Sequence, residues 1–169
     1  MEFAITGPRL SIGSDDSWLL APARRGRHGA RSFLFSPHGG NRIGAILRII
    51  LIAVFGALGT LARYGLQGVV QVRTGGAFPY GTLVVNLTGC FFLALIGQFT
   101  LNRMVISPDW RLAIAVGFFG GYTTFSSFGW ETAKMLEDGE WLRATTYVAA
   151  SVVAGLLLSV AGIRLANRF

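Results

Sequence analysis

An arginine, an asparagine and a run of hydroxyls stand where an inert membrane anchor would need only aliphatic side chains. Arg63, Asn86, the stretch Thr123-Thr124-Phe125-Ser126-Ser127-Phe128, and Tyr147 with Ser151 all lie inside long apolar runs. A charged or amide side chain in such a run is costly and normally faces a partner, a ligand or water. N–H and O–H groups can donate to an anion, and backbone released at a helix break can offer carbonyls to a cation. The chemistry on offer is binding of a polar ligand by these side chains or of a cation by freed carbonyls, or simply polar glue between helices.

Each feature has a plainer alternative. Gly56, Gly59, Thr60, Arg63 and Gln67 share one helical face, where small residues let a second backbone approach closely. Arg63 either faces a partner or water, or snorkels from a shallow position. Asn86 shares a face with Gly89, Cys90, Leu93 and Gly97, and its amide either glues helices or touches a polar ligand. Tyr147, Ser151, Gly155 and Ser159 follow at steps of four, a stripe that reads equally as packing glue or as a polar pathway. Phe125 and Phe128 are three apart, so their rings share a side. Alone they would be lipid contacts, but Thr124, Ser126 and Ser127 between them are unusual for a lipid-facing surface.

The run Gly117-Phe118-Phe119-Gly120-Gly121-Tyr122-Thr123-Thr124 carries the strongest local signal. Glycine weakens a helix by about 1 kcal/mol relative to alanine, and a glycine pair followed by a threonine pair predicts a helix break at mid-membrane. Freed backbone at that depth is tolerated only inside protein or beside water.

Composition places these residues in lipid. Hydrophobic residues make up 52% of the 169-residue chain and charged residues 14%, against about 25% charged in a soluble domain. The net charge of +7 does not indicate nucleic acid, because the bases do not cluster on a foldable polar surface and no nucleic-acid motif is present. Four apolar segments are expected, at about 46–72, 82–101, 110–133 and 141–166, each sufficient for a hydrocarbon core of about 30 Å. Residues 1–44 read as an irregular, disordered extension or an upstream start, and residues 45–169 as the membrane domain. Trp110, Trp130 and Trp141 mark segment ends. With four crossings both termini share a side, which carries Arg42, Arg48, Arg103, Arg111, Arg164 and Arg168 against Arg73, Lys134 and Arg143 opposite. The bias favours termini inside, in a multi-pass protein of the inner or plasma membrane.

Several function classes drop out. Cys90 is the single cysteine, so it forms no intrachain disulfide and no metal site by itself. Both histidines, His28 and His38, lie in the extension, which removes the axial ligands of a haem-bearing anchor subunit. A small proton-coupled multidrug-type exporter would need a carboxylate in the first helix, and that helix has none; Glu131 lies near the end of the third. No phosphate-binding loop and no acid pair within a crossing is present. Passive flow, not an enzyme, is expected.

Taken together, Gly56-Ala57-x-Gly59-x-x-x-Arg63-Tyr64, Gly81-Thr82-Leu83-x-x-Asn86-x-x-Gly89, Gly120-Gly121-Tyr122-Thr123-Thr124-Phe125-Ser126-Ser127-Phe128 and Tyr147-x-x-x-Ser151 resemble the bacterial fluoride channel family (Fluc, or CrcB). The resemblance runs from about Gly56 to Ser159. The family commonly has Ser-Thr where this chain has Ser126-Ser127, which keeps a hydroxyl. The resemblance implies an all-α fold of four transmembrane helices with the third broken, paired as an antiparallel, dual-topology homodimer with two pores at the subunit interface. It further implies a fluoride pore of Asn86, Phe125, Phe128, Ser126, Ser127, Tyr147 and Ser151, with Phe125 and Phe128 presenting ring edges. Arg63 would stand at a vestibule. A structural sodium ion would rest on the backbone carbonyls of Gly120 and Thr123. The partners implied are fluoride, sodium, a second copy of the chain and the lipid bilayer.

Overall fold

The computed structural model describes residues 42–103 and 106–169, and among them it is all helical, without a strand. Helix α1 spans Arg42–Thr74, α2 Tyr80–Arg103, α3 residues 108–122, α4 Phe125–Glu137 and α5 Trp141–Ala166. Helices α1, α2 and α5 are long and apolar enough to cross a membrane. The expected extension lies outside the described residues up to position 41. Its last three positions, 42–44, belong to α1 instead, so the first helix begins before the expected Ile46.

Local chemistry accounts for the boundaries. After Thr74 the chain turns through Gly75 at φ +61°, a left-handed conformation that a Cβ disfavours. The Gln71 side chain holds this turn together. Its Nε2 donates to the carbonyls of Gly76 and Phe78, and its Oε1 accepts from the Gly81 N–H. Pro108 opens α3, at a position where its missing N–H has no helical partner to lose. Gly139, at φ +75°, turns the chain from α4 into α5.

Helix α3 is not uniform. Pro108–Leu112 is α-helical, Ala113–Phe118 is π-helical and Phe119–Tyr122 is α-helical again. A second π turn, Ala150–Ala154, interrupts α5. Each π turn adds a residue to the local repeat and rotates the helical face beyond it.

Helix α1 packs on α3 backbone to backbone. A Cβ on Gly59 would meet the Phe118 carbonyl, and one on Gly121 would meet the Gly56 carbonyl. On the other side α2 packs on α5, where a Cβ on Gly162 would press on the Phe91 carbonyl. These contacts explain the small residues: lipid tails are as apolar as leucine, so helices associate through close van der Waals fit. Many large apolar side chains stay exposed, including Leu61, Leu142, Leu156 and Leu157, as expected of a chain whose solvent is hydrocarbon or a second protein surface.

Candidate functional site

The site is built around the two residues that separate α3 from α4. Thr123 and Thr124 are both extended, at φ/ψ −82°/158° and −147°/111°. Thr124 caps α4: its Oγ1 accepts from the Ser127 N–H at 3.2 Å. The Thr124 N–H would continue the α3 ladder onto the Gly120 carbonyl; it donates instead to Asn86 Oδ1 at 2.8 Å. Asn86 Nδ2 in turn donates to the Thr124 carbonyl at 3.1 Å. Two backbone groups at the gap are thus satisfied by one amide from α2, which meets the requirement that buried backbone find partners.

Diverting those donors has a consequence for the carbonyls. The ladder donors that an unbroken helix would aim at Gly120 and Thr123, the N–H groups of Thr124 and Ser127, are both turned to side-chain oxygens. The Gly121 carbonyl accepts from Arg63 Nε at 3.1 Å. Arg63 is therefore tied to the backbone at the gap.

A groove of about 300 Å³ opens beside this junction, lined by Asn86, Cys90, Thr123, Thr124, Phe125, Phe128 and Ser151 among others. The rings of Phe125 and Phe128 lie 5.6 Å apart and tilted, and Phe125 is 83% exposed, so its ring projects from the subunit. The Ser151 Oγ is shut off from solvent and has no hydrogen-bond partner among the described residues. Asn86 Nδ2 carries a second hydrogen beyond the one given to Thr124. The groove thus offers an amide donor, a free hydroxyl and two aromatic rings.

Not all the expected pore residues gather here. Asn86, Phe125, Phe128 and Ser151 line the groove, whereas Tyr147, Ser126 and Ser127 do not. Ser126 and Ser127 lie within hydrogen-bond reach of Thr124 Oγ1, at 3.3 and 3.0 Å. Tyr147 is fully buried. It packs against Phe78 and Phe128, and its hydroxyl donates to Glu131 Oε2 at 2.7 Å. The stripe of four on α5 is also divided. Ser151 reaches the groove, while Gly155 packs on Cys90 Sγ and Ser159 donates to the Cys90 carbonyl. The π turn at Ala150–Ala154 accounts for the split, because it rotates the later residues relative to Tyr147.

One cluster went unnoticed in the sequence. Gln67 Nε2 donates to Thr82 Oγ1 at 3.1 Å, Thr82 Oγ1 donates to Glu131 Oε1 at 2.7 Å, and Tyr147 completes the carboxylate. This joins α1, α2, α4 and α5 through one acid. The available signal was a carboxylate, Glu131, inside the third expected apolar segment, where an acid calls for a partner.

Fold and site together define a multi-pass helical membrane protein with a groove at the α3–α4 junction lined by an amide, a hydroxyl and two aromatic rings. The sequence model of the family "CrcB-like protein, Camphor Resistance (CrcB)" matches residues 50–163, and the chain belongs to this family. Curated relatives agree. A protein named "Fluoride-specific ion channel FluC" from Geobacter metallireducens is 48% identical over 122 residues, which is 72% of this chain and 98% of that protein. One of the same name from Geobacter sulfurreducens is 48% identical over 71% of this chain and 97% of its own length. Another, from Solibacter usitatus, is 43% identical over 72% of this chain and its whole length.

Proposed function

We propose that the chain is a subunit of a fluoride-selective channel that passively exports cytoplasmic fluoride. The observation that carries this reading is the groove at the α3–α4 junction, where Asn86, the Ser151 hydroxyl and the rings of Phe125 and Phe128 converge, in a chain nearly half identical to proteins named fluoride-specific channels. Fluoride is small and tightly hydrated, so a selective path must replace its water with good donors. The second Nδ2 hydrogen of Asn86 and the Ser151 O–H are such donors. The positive ring edges of Phe125 and Phe128 add a weaker, orientation-dependent attraction. Fluoride enters cells as neutral HF and ionises inside, so a leak for the anion suffices and no fuel-consuming machinery is required.

Residues 108–137 form one crossing in this reading, broken at Thr123–Thr124, which brings the number of crossings to four. A second copy in the opposite orientation completes the path. The 83% exposure of Phe125 supports a partner surface here, since the ring is half of a wall. Arg63, held on the Gly121 carbonyl, would place positive charge near the entrance and raise local anion concentration. Ser126, Ser127 and the buried Tyr147 act behind the groove by fixing Thr124 and Phe128.

The Gly120 and Thr123 carbonyls fit a structural sodium ion: both are hard oxygen donors, and both have lost their ladder donors to side chains. Four such carbonyls from two subunits would hold the ion, which would neutralise the freed backbone and join the copies.

The test is efflux from liposomes carrying the purified protein, read with a fluoride electrode beside a chloride electrode. Fluoride release without chloride release is expected. Equal rates for the two ions would remove the channel reading.

A further inference from the structure

The charged side chains divide unevenly between the two ends of the helices. At the end reached through Arg73, Lys134 and Arg143, three acids accompany the three cations: Glu137, Asp138 and Glu140. Two of the cations are matched directly, Lys134 to Glu137 at 2.7 Å and Arg143 to Glu140 at 2.6 Å.

The opposite end is different. Arg42, Arg48, Arg103, Arg111, Arg164 and Arg168 stand there against one acidic side chain among the described residues, Asp109, and Arg48 holds that acid at 2.8 Å. The C-terminal ends of α2 and α5 lie side by side, joined by Asn102 Nδ2 donating to Asn167 Oδ1 at 2.9 Å. Arg103 and Arg168 adjoin those two asparagines, and Arg164 precedes Arg168 by one turn. All three are exposed and none is paired with an acid among the described residues. Arg111, in the first turn of α3 at the same end, has its Nε shut off from solvent without a hydrogen-bond partner among the described residues. A cation at a helix C-terminus complements the helix dipole, but that effect does not explain why the acids that accompany the cations at one end are missing from the other.

We propose that the paired ends of α2 and α5 form a binding surface for anionic phospholipid headgroups, with Arg103, Arg164 and Arg168 on the phosphate. These residues terminate helices that cross the bilayer, so the anions they meet first are headgroups, and clustered arginine beside a membrane helix attracts anionic lipid. A guanidinium presents paired donors suited to phosphate oxygens. The asparagine bridge sets the spacing of the two helix ends. The surface is separate from the groove, and the proposal does not rest on the channel reading.

The experiment uses the full chain in mixed micelles with phosphatidylglycerol or phosphatidylcholine, with retained lipid counted by native mass spectrometry. Wild type is expected to retain phosphatidylglycerol in preference to phosphatidylcholine, and less so as sodium chloride is raised. The variant R103Q/R164Q/R168Q is expected to lose the preference, by about fivefold per arginine removed. R103K/R164K/R168K, which keeps the charge, is expected to retain most of it and controls for folding. Equal retention of the two lipids by wild type would overturn the proposal. So would an unchanged preference in the glutamine variant, or full displacement of lipid by millimolar inorganic phosphate.

Discussion

Asn86 clasps Thr124 from both sides, accepting from its N–H at 2.8 Å and donating to its carbonyl at 3.1 Å. One amide therefore holds a gap between two helices open and still presents a donor to the groove. Asn86→Ala leaves a buried N–H unpaired, since Thr124 is 8% exposed, at a cost of about 1–3 kcal/mol. Asn86→Asp keeps the acceptor, loses the donor and sets a carboxylate against both the Thr124 carbonyl and the anion path. Thermal unfolding in detergent should show the alanine variant destabilised, and the fluoride electrode should show efflux lost in both. Normal efflux from Asn86→Asp would mean that the amide is only a clamp.

The two phenylalanines should separate. Phe125 is largely exposed and Phe128 packs on Tyr147 with ring centroids 5.1 Å apart. Phe125→Ile is expected to abolish fluoride flux with little change in unfolding temperature. Phe128→Ile is expected to abolish flux and to lose about 0.5–1.5 kcal/mol of aromatic pairing as well. Flux measured beside unfolding for each variant checks this, and full flux in both would reduce the rings to packing.

The carboxylate of Glu131 takes a hydrogen bond from Thr82 and another from Tyr147, each at 2.7 Å. Hydrogen bonds to charged groups contribute about 1.5–3 kcal/mol. Tyr147→Phe and Thr82→Val are each expected to destabilise by roughly that amount. Because they share one acceptor, the double variant should depart from additivity by at least about 0.5 kcal/mol. A double-variant cycle of unfolding free energies is the measurement, and simple additivity would show that the two bonds act independently.

Gly59 faces the Phe118 carbonyl at a separation no Cβ tolerates. The opposing atom is backbone in a packed helix, so it cannot step aside as a flexible side chain can. Gly59→Val is expected to part α1 from α3 and lower folded yield sharply, by well over the roughly 1–3 kcal/mol typical of overpacking. Gly65→Ala, whose Cβ would meet nothing within 4 Å, should be tolerated. Size-exclusion profiles of the two variants make the comparison.

Much of this protein could be read without coordinates, because lipid imposes simple rules. Long apolar runs broken by Thr74-Gly75-Gly76 and Asp138-Gly139 mark the helices, since turns and charges are expelled from hydrocarbon. The fifth helix begins and ends where the sequence places it, at Trp141 and Ala166. The first two reach a few residues further at both ends, because helix continues past the apolar core into the interfacial region. Of the residues lining the groove, Asn86 and Ser151 were legible as polar groups within apolar segments, and Phe125 and Phe128 as rings interleaved with the hydroxyls of Thr124, Ser126 and Ser127.

What sequence alone determined was composition and order: which side chains are too polar for lipid, and on which segment each lies. Only the tertiary structure decided what those side chains meet. Spacing of four on one helix cannot reveal that a π turn sends Ser151 to the groove and leaves Tyr147 buried against Glu131. Nor can it reveal that Arg63 grips the Gly121 carbonyl from another helix. Periodicity describes one helix at a time, whereas a hydrogen bond across 58 positions of chain depends on how helices are rotated and packed against one another.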